Sequence, residues 1–213
     1  MTRKIPKFPD SYIGESAEEY NSHKWMERNQ KNTTLRCIEF LYDKNLGEND
    51  IDLDAPYLIL DLGCGTGYSS EVLIQHGFRV IGIDILPDML EKANHNKNTK
   101  SNKGLELVLA DINYLPFKKD SIDHLISISA YNFITHGKNS IREERKIVNN
   151  TAKYLKEILK KNGRFILEFY PQDDRKFDLF VSSFKNNGFE GFSVKDNPKQ
   201  KGGQTFLLLK KEG

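Results

Sequence analysis

The sequence of 213 residues has almost nothing that points to a membrane, a metal or an oxidising compartment. There are two cysteines, Cys37 and Cys64, in different elements and without metal-ligand spacing. They read as reduced, small apolar residues of a cytoplasmic protein. No apolar run approaches the ~20 residues of a membrane span, so no membrane partner is expected. The first nine residues, Met1 to Pro9, carry charge but no following apolar stretch, which does not match a secretory signal. An excess of either charge is also missing. Thirty-two Lys and Arg face 30 Asp and Glu, a net charge of +2. That balance neither demands nor excludes a nucleic-acid partner. There is no internal repeat. The five histidines (23, 76, 95, 124 and 136) are scattered, and each reads as a surface or partly buried residue.

What is present is an ordinary globular composition, 38% hydrophobic and 29% charged. Its length suits one domain with a sizeable core. The expected organisation is a flexible N-terminus over 1–14 and a single domain over 15–213. Within it, helices over about 15–46 pack as a lid over the mouth of a sheet. Leu35, Ile38, Leu41 and Leu46 recur at helical spacing before Gly47. From Leu58 onward strands and helices alternate. Strands are expected at 58–61, 80–84, 105–110, 125–129, 164–170, 192–195 and 205–210. Helices are expected at 66–76, from Pro87 to about 93, within 140–161 and at 174–187. The polar stretch 94–104 reads as a loop or a frayed helix end. Repeated βα units imply a parallel sheet with helices on both faces. The short connection 197–203 suits a hairpin, so the last strand should run antiparallel.

One run dominates the chemistry: Tyr57-Leu-Ile-Leu-Asp-Leu-Gly-Cys-Gly-Thr-Gly67. An apolar strand ends in Asp61, and a loop with Gly63, Gly65 and Gly67 leads into a helix. A second strand ends in Asp84 and a third is followed by Asp111. Glycines let the backbone approach a nucleotide-like ligand, and the second acid suits ribose hydroxyls. A dinucleotide fingerprint needs Gly-x-Gly-x-x-Gly, but Tyr68 stands at its third glycine position.

The pattern Asp-x-Gly-x-Gly-x-Gly instead resembles class I S-adenosylmethionine-dependent methyltransferases. That resemblance implies a Rossmann-like α/β fold, a seven-stranded and mostly parallel sheet with an antiparallel last strand. It implies S-adenosyl-L-methionine as cofactor and no metal. Asp61 and the backbone of Gly63, Cys64, Gly65 and Gly67 would hold its methionine part. Asp84 would accept from the ribose, Ile85 and Met89 would pack on the adenine, and Asp111 with Ile112 would meet its edge. Ser129 would also face the cofactor. Cys64 fits as a small residue of the loop rather than as a nucleophile.

Methyl transfer from a sulfonium needs alignment first, and a base only when the acceptor has a proton to lose. The segment after the fourth strand reads Ser127-Ile-Ser-Ala-Tyr-Asn-Phe133. It is neither the Asn/Asp-Pro-Pro-Tyr/Phe of exocyclic-amine methylases nor a Pro-Cys nucleophile motif. Tyr131, Asn132 and Tyr170 are the candidate acceptor contacts, because their polar ends want water or a ligand. Phe133 and Phe169 read as core. His136 lies near this segment.

Several runs together resemble the guanine-N7 methyltransferase family of eukaryotic small-subunit ribosomal RNA. They are Tyr20-Asn with Gln30, Thr34 to Leu41, the glycine loop, Gly82 to Leu90, Ile126-Ser-Ile-Ser-Ala130, Phe169-Tyr-Pro171, and Gly188-Phe with Asp196-Asn-Pro198. The resemblance runs from about Glu15 to Lys210. It implies a guanine N7 acceptor, which has an exposed lone pair and no proton to lose. It implies that Tyr20 and Gln30 fold over the cofactor. It implies structured RNA or the small ribosomal subunit as substrate, and a small zinc-binding activator protein on edge strand 105–110. This sequence stops at Gly213, without the family's basic extension, which weakens the expectation of a nuclear or ribosome-assembly role. Trp25 and its neighbours also depart from the family pattern.

Nine Lys and Arg against three Glu between Lys138 and Arg164 read as an RNA-facing or simply solvated helix. Lysines of the 92–103 stretch add to this charge. Two other readings stay open: the same chemistry on a small metabolite, or a non-catalytic cofactor-binding scaffold in RNA–protein assembly.

Overall fold

The computed structural model describes residues 7–47, 52, 55–99, 104–170, 173–196 and 203–212. Seven strands form one sheet: β1 (Leu58–Leu62), β2 (Arg79–Asp84), β3 (Leu105–Leu109), β4 (Ile122–Ile128), β5 (Leu159–Glu168), β6 (Phe189–Lys195) and β7 (Thr205–Lys211). Their order is β3-β2-β1-β4-β5-β7-β6. β7 alone is reversed, pairing antiparallel with both β5 and β6. The expected antiparallel last strand is therefore present; its connection at 197–202 lies outside the described residues.

Among the described residues six α-helices accompany the sheet: α1 (Gly14–Ser22), α2 (Lys24–Leu41), α3 (Tyr68–Gln75), α4 (Pro87–Thr99), α5 (Ile141–Ile158) and α6 (Asp174–Asn186). They give the sheet two apolar layers. Cys37, Ile38 and Leu41 of α2 pack with Val72 and Leu73 of α3 against one set of strand residues. Val148, Ala152 and Leu155 of α5 pack with Phe180 and Phe184 of α6 against the other. Burying each such large side chain stabilises the fold by about 1.5–3 kcal/mol. α5 is amphipathic, with Val148, Thr151, Ala152, Leu155 and Ile158 buried at helical spacing. Ser140 starts it by accepting from Glu143 N, while Glu143 reaches back to Asn139 N at 3.2 Å.

The helical region at 15–46 consists of two main helices, with the extended backbone of His23 separating α1 from α2. Two boundaries differ from the sequence reading. α4 continues through its polar end to Thr99, because Asn96 bonds Thr66 O at 3.0 Å and Asn21 Oδ1 at 3.1 Å. β5 begins at Leu159, so Gly163 sits inside a strand rather than after a helix. A Cβ there would lie 2.8 Å from Leu159 Cδ2 and 2.9 Å from Asp123 O. Crowding, not helix termination, requires that glycine.

The N-terminal segment also differs from the flexible stretch expected over 1–14. Residues 1–6 lie outside the described residues. From Lys7 the chain is anchored: Asp10–Tyr12 form a 3-10 turn, and Phe8 stacks on Phe133 at 4.9 Å between ring centroids.

Candidate active site

The strand order reverses direction between β1 and β4, which opens a crevice at the carboxyl ends of the strands. Parallel register brings the acids together there: Asp84 lies opposite Leu109, and Asp111 follows two residues later. The crevice is a cleft of about 170 Å³. Gly63, Asp84, Ile85, Asp111, Ile112 and Asn113 line it, together with Ala130, Phe133, His136 and Phe8.

The glycine loop starts where Gly63 N and Cys64 N both donate to Ile83 O, at 2.9 and 2.8 Å. Gly63 has φ +75°, and a Cβ there would lie 2.2 Å from Ala130 Cβ. Two requirements thus converge on glycine: a left-handed backbone and contact with the segment after β4. Gly65 also has positive φ, and its N–H donates to Asp84 Oδ2 at 3.0 Å. Leu86 N donates to Asp84 Oδ1 at 2.9 Å. Burial pushes the Asp84 carboxyl up, and those backbone donors pull it back. Asp111 Oδ1 accepts from Asn113 N at 2.8 Å, a turn that presents the carboxylate beside Ile112.

Asp61 stands behind the loop and not in the cleft wall. Its Oδ2 accepts from Ser69 and Ser70, each at 2.6 Å, clamping the start of α3. Its Oδ1 is buried and has no hydrogen-bond partner. Burial raises the carboxyl to about 6, against the two serine hydroxyls that lower it. Cys64 points its thiol at the sheet. A Cβ on Gly82 would lie 2.9 Å from the Cys64 sulfur, and burial pushes the thiol well up. It is unsuited to nucleophilic attack.

Other expected contacts are redistributed. Ile85 is exposed at the cleft, but Met89 is buried in a small cluster with Ala17 and Tyr20 under α1. It backs the glycine loop rather than offering an open face to a base. Gln30 donates to the Tyr20 hydroxyl, and Tyr20 packs edge-on to Tyr12 at 5.4 Å. Ser129 has φ +58° and donates to Glu168 Oε2 at 2.6 Å, so its hydroxyl is turned to β5.

On the acceptor side, Tyr131 differs most from expectation. It is fully buried, packed among Phe165, Phe180 and Phe184, and thus part of the core. Phe133, expected in the core, lines the cleft instead. Phe169 is buried as expected. Asn132 Oδ1 accepts from Tyr170 N at 3.0 Å, which brings those two candidates together. The Tyr170 hydroxyl donates to Glu168 Oε1 at 2.6 Å. Pro171 lies outside the described residues.

Phe8, Asn113 and Glu168 were not singled out by the sequence. Glu168 carries the same signal as the other acids, a carboxylate at a strand end. Phe8 has no local signal, because its contacts are made across the fold.

The arrangement suits an adenosine-bearing methyl donor. Asp84 and the bare Gly63 backbone sit at one end, and the apolar Ile85 and Ile112 offer a slot for a flat base. A carboxylate at the ribose position disfavours a phosphorylated ribose. Among the described residues no cluster of metal-ligating side chains occurs and no helix is long and apolar enough to cross a membrane.

Comparison with known proteins agrees with this geometry. The chain is 33% identical over 198 residues to the 18S rRNA (guanine(1575)-N(7))-methyltransferase of Saccharomyces cerevisiae, covering 91% of this chain and 66% of the yeast protein. It therefore spans just under two thirds of that relative. Among solved structures, the PH0226 protein of Pyrococcus horikoshii superposes with a TM-score of 0.69 at 20% identity, over 97% of this chain and all of that one. A chain from the complex between the Haloferax volcanii Trm112 methyltransferase activator and a methyltransferase gives 0.62 at 16% identity, over 92% and 97%. At those identities the structures speak for the fold alone. The family described as "Methyltransferase domain" matches residues 53–204, which contain the glycine loop, all three acids and the acceptor segment, and to that family this chain belongs.

Proposed function

We propose that this chain is an S-adenosylmethionine-dependent methyltransferase that methylates a guanine N7 of small-subunit ribosomal RNA. One observation carries the reading: the cleft built from Gly63, Asp84, Asp111 and Phe133 occurs in a chain one third identical to a yeast guanine-N7 methyltransferase. The bound cofactor supplies an electrophilic methyl group on a sulfonium. The chain's own work is to hold and orient. Asp84 accepts from the ribose, Ile85 and Ile112 flank the adenine, and Asp111 with Asn113 meets its edge. The loop from Gly63 to Gly67 seats the methionine part, with Asp61 and Met89 behind it. Tyr20 of α1, Gln30 of α2 and Ser129, directly after β4, close the site. Phe133, Asn132 and Tyr170 face the acceptor. Guanine N7 presents a lone pair in its ring plane and has no proton to remove, so alignment suffices and no general base is needed.

The same reading gives a single domain over 15–213, with α1 and α2 as its roof. It also assigns two surfaces. β3 is an edge strand, and Leu109 at its end is 58% exposed. An activator protein that adds its own sheet there would cover the unpaired backbone. The basic residues of α5 and Lys138 at the cleft suit RNA phosphates. The unpaired, buried Cys37 and Cys64 are in keeping with a cytoplasmic site of action.

The test supplies radiolabelled S-adenosylmethionine and small ribosomal subunits from a strain lacking this gene, with and without a co-expressed activator, followed by nucleoside analysis. Label in 7-methylguanosine is the expected result. Label in free metabolites and none in RNA defeats the proposal.

A further inference from the structure

We propose that Glu168 is a positioning residue that fixes the Tyr170 ring as the face on which the acceptor base stacks. This rests on the RNA-base acceptor proposed above and adds a residue to it.

Tyr170 is tied at two points. Its backbone N–H donates to Asn132 Oδ1 at 3.0 Å, and its hydroxyl donates to Glu168 Oε1 at 2.6 Å. The residue is nevertheless 45% exposed. A buried tyrosine is held by packing; this one is held by hydrogen bonds while part of it faces solvent. The backbone tie joins it to Asn132, the residue between Tyr131 of the core and Phe133 of the cleft wall.

Glu168 is only 1% exposed, and three side-chain donors converge on its carboxylate. Ser129 Oγ donates to Oε2 at 2.6 Å, and Gln204 Nε2 donates to Oε1 beside the Tyr170 hydroxyl. Gln204 also bonds Thr33 Oγ1 at 2.7 Å, which joins the cluster to α2. Burying a carboxylate is costly even when it is paired, and a well-packed apolar residue would stabilise such a position equally well. Ser129 adds a left-handed backbone in a residue that has a Cβ. Strain and a buried acid gathered at the end of a strand mark a functional constraint rather than a packing solution. The constraint fits a stacking face. Base–aromatic stacking contributes about 1–3 kcal/mol per base, and a ring already fixed loses less freedom on binding.

The test compares the full-length wild type with Tyr170→Leu, Tyr170→Phe, Glu168→Met, Glu168→Gln and the double variant Glu168→Met/Tyr170→Phe. Small-subunit RNA is the acceptor. Tyr170→Leu should raise the RNA KM about tenfold, with the S-adenosylmethionine Kd unmoved. Tyr170→Phe and Glu168→Met should each raise it roughly threefold, and the double variant no further, because one residue acts through the other. Glu168→Gln keeps an oxygen for the tyrosine hydroxyl and should restore the wild-type KM. Additive losses, or an unchanged KM in Tyr170→Leu, overturn the proposal. If Glu168→Met does not fold, a wild-type KM in Tyr170→Phe overturns it instead. A second arm needs no acceptor. In protein labelled with 3-fluorotyrosine, the Tyr170 signal, located by its loss in Tyr170→Phe, should be a single ordered resonance in the wild type and averaged in Glu168→Met. An averaged wild-type signal, or no change in Glu168→Met, rejects the positioning role. Failure of the wild type to methylate RNA rejects the proposed function, and the fluorine spectra still decide the part played by Glu168.

Discussion

The Tyr68 hydroxyl donates to the backbone carbonyl of Asn21 at 2.6 Å. This bond joins the first residue of α3, directly after the glycine loop, to α1 above it. A hydrogen bond of this kind contributes about 1 kcal/mol. Tyr68→Phe should therefore weaken S-adenosylmethionine binding roughly fivefold with little change in Tm. Calorimetry that finds wild-type affinity would separate α1 from cofactor binding.

Asp84 has two tasks, holding the loop through Gly65 and Leu86 and meeting the ribose. Hydrogen bonds to a charged group contribute about 1.5–3 kcal/mol each. Asp84→Ala should lower cofactor affinity by at least about a hundredfold while circular dichroism stays native. Unchanged affinity by calorimetry would refute the ribose role.

His124 provides a pH signature. Its Nδ1 accepts from Arg164 N at 3.1 Å, Tyr57 packs edge-on to its ring, and burial lowers its pKa to about 4. Unfolded, it titrates near 6.5. Between those values the unfolded chain binds the extra proton, so this residue's contribution is intact above pH 6.5 and is lost as pH falls towards 4. Asp61 acts in the opposite sense, because its folded carboxyl is raised to about 6 and takes up a proton first. His124→Phe should flatten the fall of Tm between pH 6.5 and 4, and Asp61→Asn should steepen it. Parallel melting profiles for wild type and His124→Phe would contradict this account.

Phe8 closes the cleft from the far end of the chain, stacked on Phe133 and edge-on to His136 at 5.0 Å. An aromatic pair contributes about 0.5–1.5 kcal/mol beyond its buried area. Phe8→Ala should speed release of the demethylated cofactor about two- to tenfold in stopped-flow measurements. An unchanged release rate would place the N-terminal segment outside the exchange path.

The parts of the site that were legible in the sequence are those fixed by local chemistry. A strand ending in an acid and a loop of alternating glycines have few alternative structures, and Asp84, Asp111 and Gly63 line one cleft. The mostly parallel sheet and the reversed β7 follow from βα repetition and one short connection, whereas the strand order did not. Orientation within the 3-10 turn at 131–135 was not legible. Successive residues there point about 120° apart, so Tyr131 enters the core while Phe133 reaches the cleft. Side-chain polarity alone gave the opposite assignment. Glu168 was hidden because its partners Ser129 and Gln204 lie 39 and 36 positions away. The β5 start was missed because Gly163 looks like a helix stop until its crowded surroundings are known.

The guanidinium of Arg164 is buried and donates to three carbonyls, those of Leu41, Asp43 and Gly47, at 2.8 to 3.0 Å. The tail of α2 is thereby riveted to β5, and Gln204 with Thr33 and Asp196 with Arg36 add two more fasteners along its length. α1 is tied instead to its neighbouring helices: Asn21 to Tyr68 of α3 and Asn96 of α4, Glu18 to Lys92, and Ala17 with Tyr20 packed on Met89. The roof is thus joined to the sheet through α2, while α1 rests on the helices that flank the glycine loop. A displacement of α1 alone would uncover the crevice and leave every bond between α2 and the sheet in place.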